Sequence, residues 1–446
     1  MADLSINICG ITSPNPFWLA SGPPSNSGEQ VMRAFDMGWG GAVWKTVGNP
    51  IVNVSSRLGA VGYAGSPVMG LNNIELITDR PLEVNFKEIY EVKKRYPDNA
   101  VVVSLMVESK DEWKDIIRRS EDTGADGLEL NFGCPHGMCE RGMGSAVGQE
   151  PDVLREITSW AREFATTPVI AKLTPNVTNI LDPGIAAVEG GADAISLINT
   201  LKSIIGVDLK NLVIQPTVGI EGTQGGYCGP AVKPVALHMA GTLARDERIT
   251  VPISGIGGIS NWYDAAEFLA LGSTSVQVCT AVMHYGYRIV EGMIDGLNNY
   301  LDEMGMKSVN DLIGRAVSTY VEWGDLDLNF GVNAKINSKT CIGCQLCYIA
   351  CLDGGHQCIH THQGPCSAFH GKADHGINPR TSIMPPVMHT DKNKSEAHIP
   401  FVDDDECIGC NLCQLVCPVP ECVTMEEVPT AAGKESWNER LAKGLS

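Results

Sequence analysis

Short apolar runs alternate with amphipathic stretches over residues 1 to about 305 of the chain. Runs of a few mostly apolar residues predict buried strands, and apolar positions at helical spacing predict helices between them. The predicted strands are Phe17–Ala20, Ala42–Lys45, Val101–Met106, Gly127–Asn131, Val169–Leu173, Ala194–Ile198, Val251–Ser254 and Ser275–Val278. The predicted helices include Asp111–Asp122, Pro151–Phe164, Val232–Arg245, Asp264–Leu271 and Tyr287–Leu301.

Strands that alternate with helices over about 250–300 residues favour a (β/α)8 TIM barrel. The alternative is a doubly wound sheet, which would want a G-x-G-x-x-G turn after an early strand. The sequence has no such turn. Its absence also leaves the chain without an evident site for NAD.

Polar residues follow the predicted strands at the carboxyl ends, where barrel enzymes place their chemistry. Lys45 and Lys172 each close an apolar run, and a buried lysine is costly unless it meets an anion. Asn131 and Asn199-Thr200 end or follow two other strands. Each residue alone could belong to an ordinary surface loop, but together they predict an active site.

A glycine-rich loop follows the strand that ends at Asn131. It contains an amide, two thiols and an imidazole, and its glycines allow unusual dihedral angles. Cys134 lies in this loop, four residues after Leu130. A structural thiol beside a turn is the alternative, but the combination of Asn131, Cys134 and the loop favours a catalytic role.

Two further glycine or polar turns follow the last two strands, at Gly257-Gly258 and at Cys279-Thr280. In barrels, backbone N–H groups of these two loops commonly bind a phosphate. Tight turns without a ligand are the alternative. The loop 225–230 is a third glycine-rich turn, which could contact a cofactor or be a plain turn.

Two cysteine runs form the most specific motif of the chain. In doubled runs of this type, three thiolates bind one [4Fe–4S] cluster and the fourth binds the other cluster. The expected ligand sets are Cys341, Cys344, Cys347 with Cys417, and Cys407, Cys410, Cys413 with Cys351. Zinc ligation is the alternative. Leu352 stands where a proline is usual, which leaves Cys358 as a substitute for Cys351.

The pattern predicts a barrel over residues 1–305, a connecting segment over 306–338 and a small α+β two-[4Fe–4S] ferredoxin-like domain over 339–446. A histidine-rich insert over 353–400 contains seven histidines. Its glycine, proline and polar content predicts an irregular surface loop, with a metal site as the alternative.

Composition narrows the class of protein. The chain has 446 residues and a formal net charge of −19, which argues against a surface for nucleic acid or an anionic membrane. No apolar run of about 18 residues and no signal-type N-terminus is present, so a cytoplasmic protein is expected. Sixteen cysteines in that compartment indicate metal or redox chemistry rather than disulfides.

With these motifs assembled, the chain resembles the pyrimidine-reducing subunits of NAD-dependent dihydropyrimidine dehydrogenases and the C-terminal half of the animal enzymes. The resemblance spans nearly the whole chain, apart from the insert and the last dozen or so residues. It is carried by the cysteine runs and by the segments 44–46, 73–77, 131–144, 171–178, 199–200 and 277–279. It implies a barrel of the dihydroorotate dehydrogenase type that binds FMN.

The resemblance also implies roles for single residues. Cys134 would be the general acid. The pyrimidine would be held by Asn73, Asn131, Asn199 and Thr200, and Asn72 competes with Asn73 for its place. The expected cofactor-binding residues are Ala20, Ser21, Lys45, Thr46, Lys172, Gly226, Gly257, Gly258, Cys279 and Thr280.

The implied reaction reduces the C5=C6 bond of uracil or thymine, with a hydride from flavin N5 to C6 and a proton to C5. A thiol suits the proton transfer, since its unperturbed pKa of about 8.5 keeps it protonated near neutrality. Because the chain has no evident NAD site, electrons are expected from a partner subunit that carries NAD and FAD, through the clusters.

One departure from the expected pattern is Gly133, where serine is expected in many relatives, so a hydroxyl hydrogen bond would be missing. Two other functions stay open. The substrate could be dihydroorotate or another cyclic amide, or the chain could be a ferredoxin-like electron carrier whose barrel is a scaffold.

Overall fold

The computed structural model describes residues 1–49, 53–63, 65–135, 143–360, 399–429 and 432–444. The chain divides into two compact units, Met1–Tyr320 and Val321–Ser446. The predicted connecting segment 306–338 is shared between them, and the boundaries at 305 and 339 stay predictions. Residues 136–142 of the cysteine-containing loop and 361–398 of the histidine-rich insert lie outside the described residues.

The first unit contains a closed barrel of eight parallel strands. The described strands of the first unit, inside and outside the barrel, are β1 (Ile6–Ile8), β2 (Ile11–Ser13), β3 (Phe17–Leu19), β4 (Gly41–Gly48), β5 (Leu58–Tyr63), β6 (Ser66–Asn73), β7 (Ala100–Met106), β8 (Gly127–Asn131), β9 (Val169–Lys172), β10 (Ala194–Leu197), β11 (Leu201–Ser203), β12 (Gly206–Asp208), β13 (Val213–Gln215), β14 (Thr217–Val218), β15 (Glu221–Gly222), β16 (Gly225–Cys228), β17 (Ile253–Ile256) and β18 (Ser273–Val278). The barrel order is β10-β17-β18-β3-β4-β7-β8-β9. These are the eight strands predicted from the apolar runs, so the TIM barrel prediction is confirmed.

Helices follow the barrel strands and cover them on the outside. They are α1 (Gly28–Asp36), α2 (Leu82–Arg95), α3 (Lys110–Glu121), α4 (Ser145–Gly148), α5 (Pro151–Phe164), α6 (Leu181–Glu189), α7 (Lys233–Ala244), α8 (Trp262–Ala270), α9 (Thr280–Tyr285) and α10 (Ile289–Glu303). The five predicted helices correspond to α3, α5, α7, α8 and α10, and their ends agree within two residues.

Local sequence explains where α3 begins and which face it buries. Ser109 caps the helix, and the Glu112 side chain returns to the Ser109 backbone in a capping box. Trp113, Ile116 and Ile117 are spaced three and four residues apart, so they share one face. All three are buried in the barrel core.

A four-stranded antiparallel sheet, in the order β11-β16-β6-β5, forms from the loops that follow the barrel strands. Its register pairs Asn73 with Gly226 and Asn72 with Tyr227. The sheet was not among the predicted elements. It matters for function because β6 and β16 supply several residues to the cavity described below.

The second unit is small and mixed in secondary structure. Strand β19 (Gly331–Ile336) pairs antiparallel with β22 (Val423–Val428), and β20 (Ile359–His360) pairs with β21 (Phe401–Val402). Its helices are α11 (Leu346–Gly354), α12 (Leu412–Leu415) and α13 (Trp437–Ala442). This is the α+β ferredoxin-like domain that the sequence predicts. Within the part of the chain that is described, no helix is both long and apolar enough to cross a membrane.

Candidate active site and cluster sites

A large cavity opens at the carboxyl ends of the barrel strands. Its empty space is about 1130 Å3, including the part that is open to solvent, and this is the scale of a cofactor or substrate site. It lies where barrel enzymes place their chemistry. The sequence-predicted residues that line it are Ala20, Ser21, Lys45, Thr46, Asn73, Asn131, Cys134, Lys172, Asn199, Thr200, Gly257, Gly258, Cys279 and Thr280.

Gly226 is the predicted site residue that does not line the cavity. A side chain there would meet a neighbouring loop, since a Cβ atom would lie 2.1 Å from Thr200 Oγ1. The glycine therefore allows β16 to approach the loop that carries Thr200, and its contact with the cofactor stays a prediction.

The two adjacent asparagines of β6 have different surroundings. Asn73 lines the cavity. Asn72 is fully buried, and its Nδ2 donates a hydrogen bond of 2.8 Å to Ser203 Oγ. Successive residues of a strand point to opposite faces, so Asn73 is the member of the pair that can reach a ligand.

Lys45 is neutralised by a buried carboxylate. Its Nζ donates to Glu75 Oε2 at 2.7 Å, and the two side chains are only 7% and 9% exposed. Arg57 donates to the other oxygen of Glu75 at 3.0 Å. Burial alone would raise the pKa of the Glu75 carboxyl, but the charge of Lys45 and the hydrogen bonds from Lys45 and Arg57 hold that pKa below its ordinary value.

Lys172, which also lines the cavity, has a similar partner. Its Nζ lies 3.2 Å from Oε1 of Glu129, which is fully buried inside β8. Ser196 and Gln277 donate to the other carboxylate oxygen at 2.8 Å and 3.1 Å. A buried carboxylate that is paired and hydrogen-bonded in this way fixes the position of the ammonium group.

Gln277 carries a buried polar atom that indicates a ligand site. Its side chain lines the cavity and is 1% exposed, and its Nε2 donates to Glu129 and Ser254. Its Oε1 has no hydrogen-bond partner among the described residues. Buried acceptors are rarely left unpaired. An N–H donor of a bound molecule would satisfy this one, which is a feature that the ring of a flavin offers.

Hydrogen bonds hold the amides of the cavity in one orientation. Asn131 Nδ2 donates to Thr46 Oγ1 at 2.9 Å, and Asn199 Nδ2 donates to Asn131 Oδ1 at 3.0 Å. The backbone N–H of Thr200 donates to Asn199 Oδ1 at 2.8 Å. Because these bonds connect β4, β8 and the loop after β10, the asparagines are positioned before any ligand binds.

Cys134 lies between the cavity and a small apolar cluster. It is 5% exposed, and its Sγ donates to the Leu76 carbonyl at 3.3 Å. The cluster around it contains Ile77, Met106 and Met143. The thiol is therefore shielded from bulk water and accessible to a molecule in the cavity, as a proton donor in a closed site requires.

The departure at Gly133 has a steric explanation. A Cβ atom at residue 133 would lie 2.3 Å from Asn199 Cβ. A serine in this position would displace Asn199, which binds Asn131. Glycine at residue 133 lacks the expected hydroxyl, and it thereby leaves room for Asn199 at its position in the cavity.

Two more thiols, Cys228 and Cys279, line the cavity near its glycine loops. Burial raises the pKa of Cys228 to about 11 and that of Cys279 to about 12. Thr280 Oγ1 donates to the Cys228 sulfur at 3.2 Å. Both thiols are neutral at pH 7 and add no negative charge, which suits an anionic ligand such as a phosphate.

The second unit brings the predicted cluster cysteines together in two separate cavities. One is lined by Cys341, Cys344, Cys347 and Cys417. The other is lined by Cys407, Cys410, Cys413 and Cys351. Each cavity therefore contains one of the two predicted ligand sets, in the crossed arrangement that doubled motifs produce. Each also contains a fifth thiol, Cys422 in the first and Cys358 in the second.

Comparisons with known proteins agree with this domain organisation. Residues 3–301 match the dihydroorotate dehydrogenase family model, and residues 340–420 match the 4Fe-4S dicluster domain model. The NAD-dependent dihydropyrimidine dehydrogenase subunit PreA of Escherichia coli is 43% identical over 359 residues, which cover 80% of this chain and 87% of that protein. This chain belongs to the dihydropyrimidine dehydrogenase family.

Three other proteins are similar to this chain in sequence or in fold. The chloroplastic dihydropyrimidine dehydrogenase (NADP(+)) of Arabidopsis thaliana is 42% identical over 337 residues, covering 73% of this chain and 79% of that protein. The catalytic subunit of dihydroorotate dehydrogenase B of Thermococcus kodakarensis is 36% identical over 327 residues, covering 71% and 99%. A solved dihydroorotate dehydrogenase of Eimeria tenella shares the fold, with a TM-score of 0.57, 21% identity and coverage of 70% and 88%.

For a member of the dihydropyrimidine dehydrogenase family, the predicted cofactor set of FMN and two [4Fe–4S] clusters fits the two matched domains. The cavity fits FMN through the Lys172 ammonium, the glycine turns and the Gln277 Oε1 acceptor, which no described residue pairs. Gly257 and Gly258 have φ angles of +127° and +76°, which favour glycine over other residues.

Several residues of the site are not among those predicted from the sequence. Glu75, Glu129, Gln277 and Cys228 all contact the cavity or its lysines. Glu129 had a usable signal, because a carboxylate inside an apolar strand and two residues before Asn131 must face the same side. Cys228 had none beyond its place in a glycine-rich loop.

Proposed function

We propose that this chain reduces the C5=C6 bond of uracil or thymine to the 5,6-dihydropyrimidine, in a reversible reaction. The observation that carries the proposal is the cavity itself, where a shielded thiol, three asparagines and two compensated lysines line one space. A dihydropyrimidine dehydrogenase relative of which this chain covers 87% supports the choice of substrate.

The reaction adds one hydride at C6 and one proton at C5. When bound, FMN would supply the hydride from N5. Cys134 holds the proton on Sγ and transfers it to C5, which leaves a thiolate that solvent must reprotonate before the next turnover. The hydride brings both electrons of the new C–H bond at C6. The C5=C6 π bond breaks, and its electron pair forms the new C–H bond at C5 with the proton.

The asparagines would recognise the substrate by hydrogen bonds to its polar edge. Each amide offers a donor and an acceptor, which matches the alternating N–H and C=O groups of a pyrimidine ring. Asn73, Asn131, Asn199 and Thr200 would make these contacts. Because Asn131 and Asn199 are already bonded to each other, binding costs little reordering of their side chains.

The two lysines would hold the flavin. Lys172 lies 3.2 Å from Glu129 and would stabilise negative charge that collects on the reduced ring. Lys45 is placed by Glu75. Ala20, Ser21, Thr46, Gly257, Gly258, Cys279 and Thr280 complete the proposed cofactor-binding set, as they line the same cavity.

Electrons would come from a partner subunit that binds NAD and FAD and oxidises NAD(P)H. The E. coli relative is named as a subunit, which supports a hetero-oligomer. The two [4Fe–4S] clusters would supply one-electron transfer, held by Cys341, Cys344, Cys347 and Cys417 and by Cys407, Cys410, Cys413 and Cys351. A cytoplasmic location is part of the same proposal.

Dihydroorotate is the second candidate, since the T. kodakarensis relative is a dihydroorotate dehydrogenase subunit. Its carboxylate would need a cation that is not already compensated. The cations among the described lining residues are Lys45 and Lys172, and each already has a carboxylate partner. The charges of the cavity therefore favour a neutral pyrimidine.

The experiment is purification of the chain together with its co-expressed partner, followed by analysis of flavin and iron. The proposal predicts one FMN and eight irons per chain, and uracil- or thymine-dependent oxidation of NAD(P)H. Turnover of orotate in place of uracil would favour the second candidate. If both clusters are intact and no FMN is bound, the chain is an electron carrier and the proposal is overturned.

A further inference from the structure

The second cluster cavity contains one thiol more than a [4Fe–4S] cluster uses. Cys351, Cys407, Cys410 and Cys413 account for four ligands, and Cys358 also lines the cavity. Its Sγ lies 3.5 Å from the Cys351 Sγ, within the range of an S–H···S hydrogen bond. From the motif, this fifth thiol is only a substitute for the ligand Cys351.

The position of Cys358 is fixed by the backbone around it. It directly precedes β20, and its carbonyl accepts a hydrogen bond of 2.8 Å from the Asp403 N–H. Cys351 is on α11, so the contact joins a helix to a small sheet. Cys351 and Cys358 are each 5% exposed, so water competes little for the thiol proton.

A thiol beside a cluster ligand has a defined physical effect. A ligand thiolate accepts hydrogen bonds, and a donor reduces the electron density on its sulfur. Hydrogen bonds to cluster sulfurs are among the factors that set the reduction potential. The oxidised and reduced clusters differ by one negative charge, so a nearby donor stabilises the reduced form more.

We propose that Cys358 is a positioning residue whose thiol donates an S–H···S hydrogen bond to the Cys351 ligand and raises the reduction potential of that cluster. The inference depends on the proposed cluster ligation, and it does not depend on the identity of the pyrimidine substrate. It also assigns Cys351, and not Cys358, as the fourth ligand.

The test measures the midpoint potential of each cluster in an anaerobic redox titration of the chain with its partner. EPR monitors the reduced clusters during the titration. Cys358→Ala should keep eight irons per chain and shift one cluster to a lower potential. Cys358→Ser retains an O–H donor, so its potential should return towards the wild-type value. Cys9→Ala removes a thiol that lines neither cluster cavity and should shift neither cluster.

Two results would overturn the inference. Loss of four irons in Cys358→Ala, with both clusters retained in Cys351→Ala, would make Cys358 the ligand. An unchanged potential in Cys358→Ala would show that the thiol does not act on the cluster. Failure of uracil reduction in the wild-type protein would bear on the proposed function alone, since the potentials are measured without substrate.

Discussion

The two units of this chain bury different kinds of residue. The barrel has one large core, in which Trp18, Trp39 and Trp44 are fully buried among many aliphatic side chains. Among the described residues of the second unit, seven buried residues form the apolar cluster, and four of them are Cys347, Cys351, Cys358 and Cys413. An apolar core stabilises a fold by itself, whereas a core of cluster ligands depends on the metal.

The same contrast applies to buried charge. In the barrel, Lys45 and Lys172 each meet a carboxylate of the protein, so the site exists before a ligand arrives. In the second unit, the ligand thiols converge on two cavities, and as thiolates they would repel each other without iron. The active site is thus built by the protein, and the electron-transfer sites are completed by their metal.

The largest expected effect tests this contrast through removal of iron. Anaerobic chelation of iron from the complex should unfold much of the second unit and leave the barrel intact. Hydrogen exchange should show loss of protection in Gly331–Ile336 and Val423–Val428. The barrel strand Ala100–Met106 serves as the internal control. Retained protection in both units would show that the small core is stable without its clusters.

Cys134→Ala tests whether the barrel cavity performs the proton transfer. Loss of a positioned general acid typically costs about 10²–10⁴-fold in rate, so kcat for uracil reduction should fall by about that factor. Bound FMN and KM should change little, because the thiol is not expected to hold either molecule. The matched control is Cys9→Ala, which removes a thiol outside the cavity. Full activity in Cys134→Ala would exclude the residue from the mechanism.

Glu129→Ala tests whether the barrel depends on its buried ion pair. Removal of one partner leaves Lys172 as an uncompensated buried charge, and such changes destabilise proteins by about 3–5 kcal/mol. Urea unfolding of the flavin-loaded barrel would measure the loss. Glu163→Ala breaks the exposed pair with Lys110, whose side chains are 45% and 58% exposed, and should cost less than about 1 kcal/mol. Equal effects would mean that burial does not distinguish the two pairs.

The smallest effect concerns pH and Glu75. The pKa of this carboxyl is held below its ordinary value in the folded protein. The ionised Glu75 carboxylate therefore stabilises the fold above the pKa of glutamate in the unfolded chain, about 4.3. This stabilisation is lost as pH falls through the pKa of Glu75 in the folded protein. The difference in unfolding free energy between wild type and Glu75→Gln should shrink as the pH falls from 7 towards 3. A difference that is constant with pH would contradict this assignment.

The barrel could be predicted because parallel strands buried on both faces give continuous apolar runs. The sheet of β5, β6, β11 and β16 could not. Its strands β11 and β16 have only three and four residues, and Leu58–Tyr63 is largely exposed. The pairing of β6 with β16 joins residues more than a hundred positions apart, such as Asn73 and Gly226. Periodicity within one segment carries no information on such pairings.

The residues of the site likewise divide into those that the sequence predicts and those that depend on contacts between distant segments. Cys134 and Lys172 could be found because each follows an apolar run. Their partners could not be assigned, since the pairing of Lys172 with Glu129 depends on two strands that lie side by side in the barrel. The role of Gly226 stays a prediction, because a glycine in a loop does not reveal whether a ligand or another backbone approaches it.

The central claim is that a flavin and a pyrimidine share the barrel cavity with Cys134. The most direct measurement is an experimental structure of the FMN-loaded complex with uracil bound. The account predicts the flavin ring beside Lys172 and Gln277, with C5 of uracil about 3–3.5 Å from the Cys134 sulfur, the separation of reacting atoms in a near-attack geometry. A cavity without a flavin, or a Cys134 sulfur that points away from the pyrimidine, would contradict it.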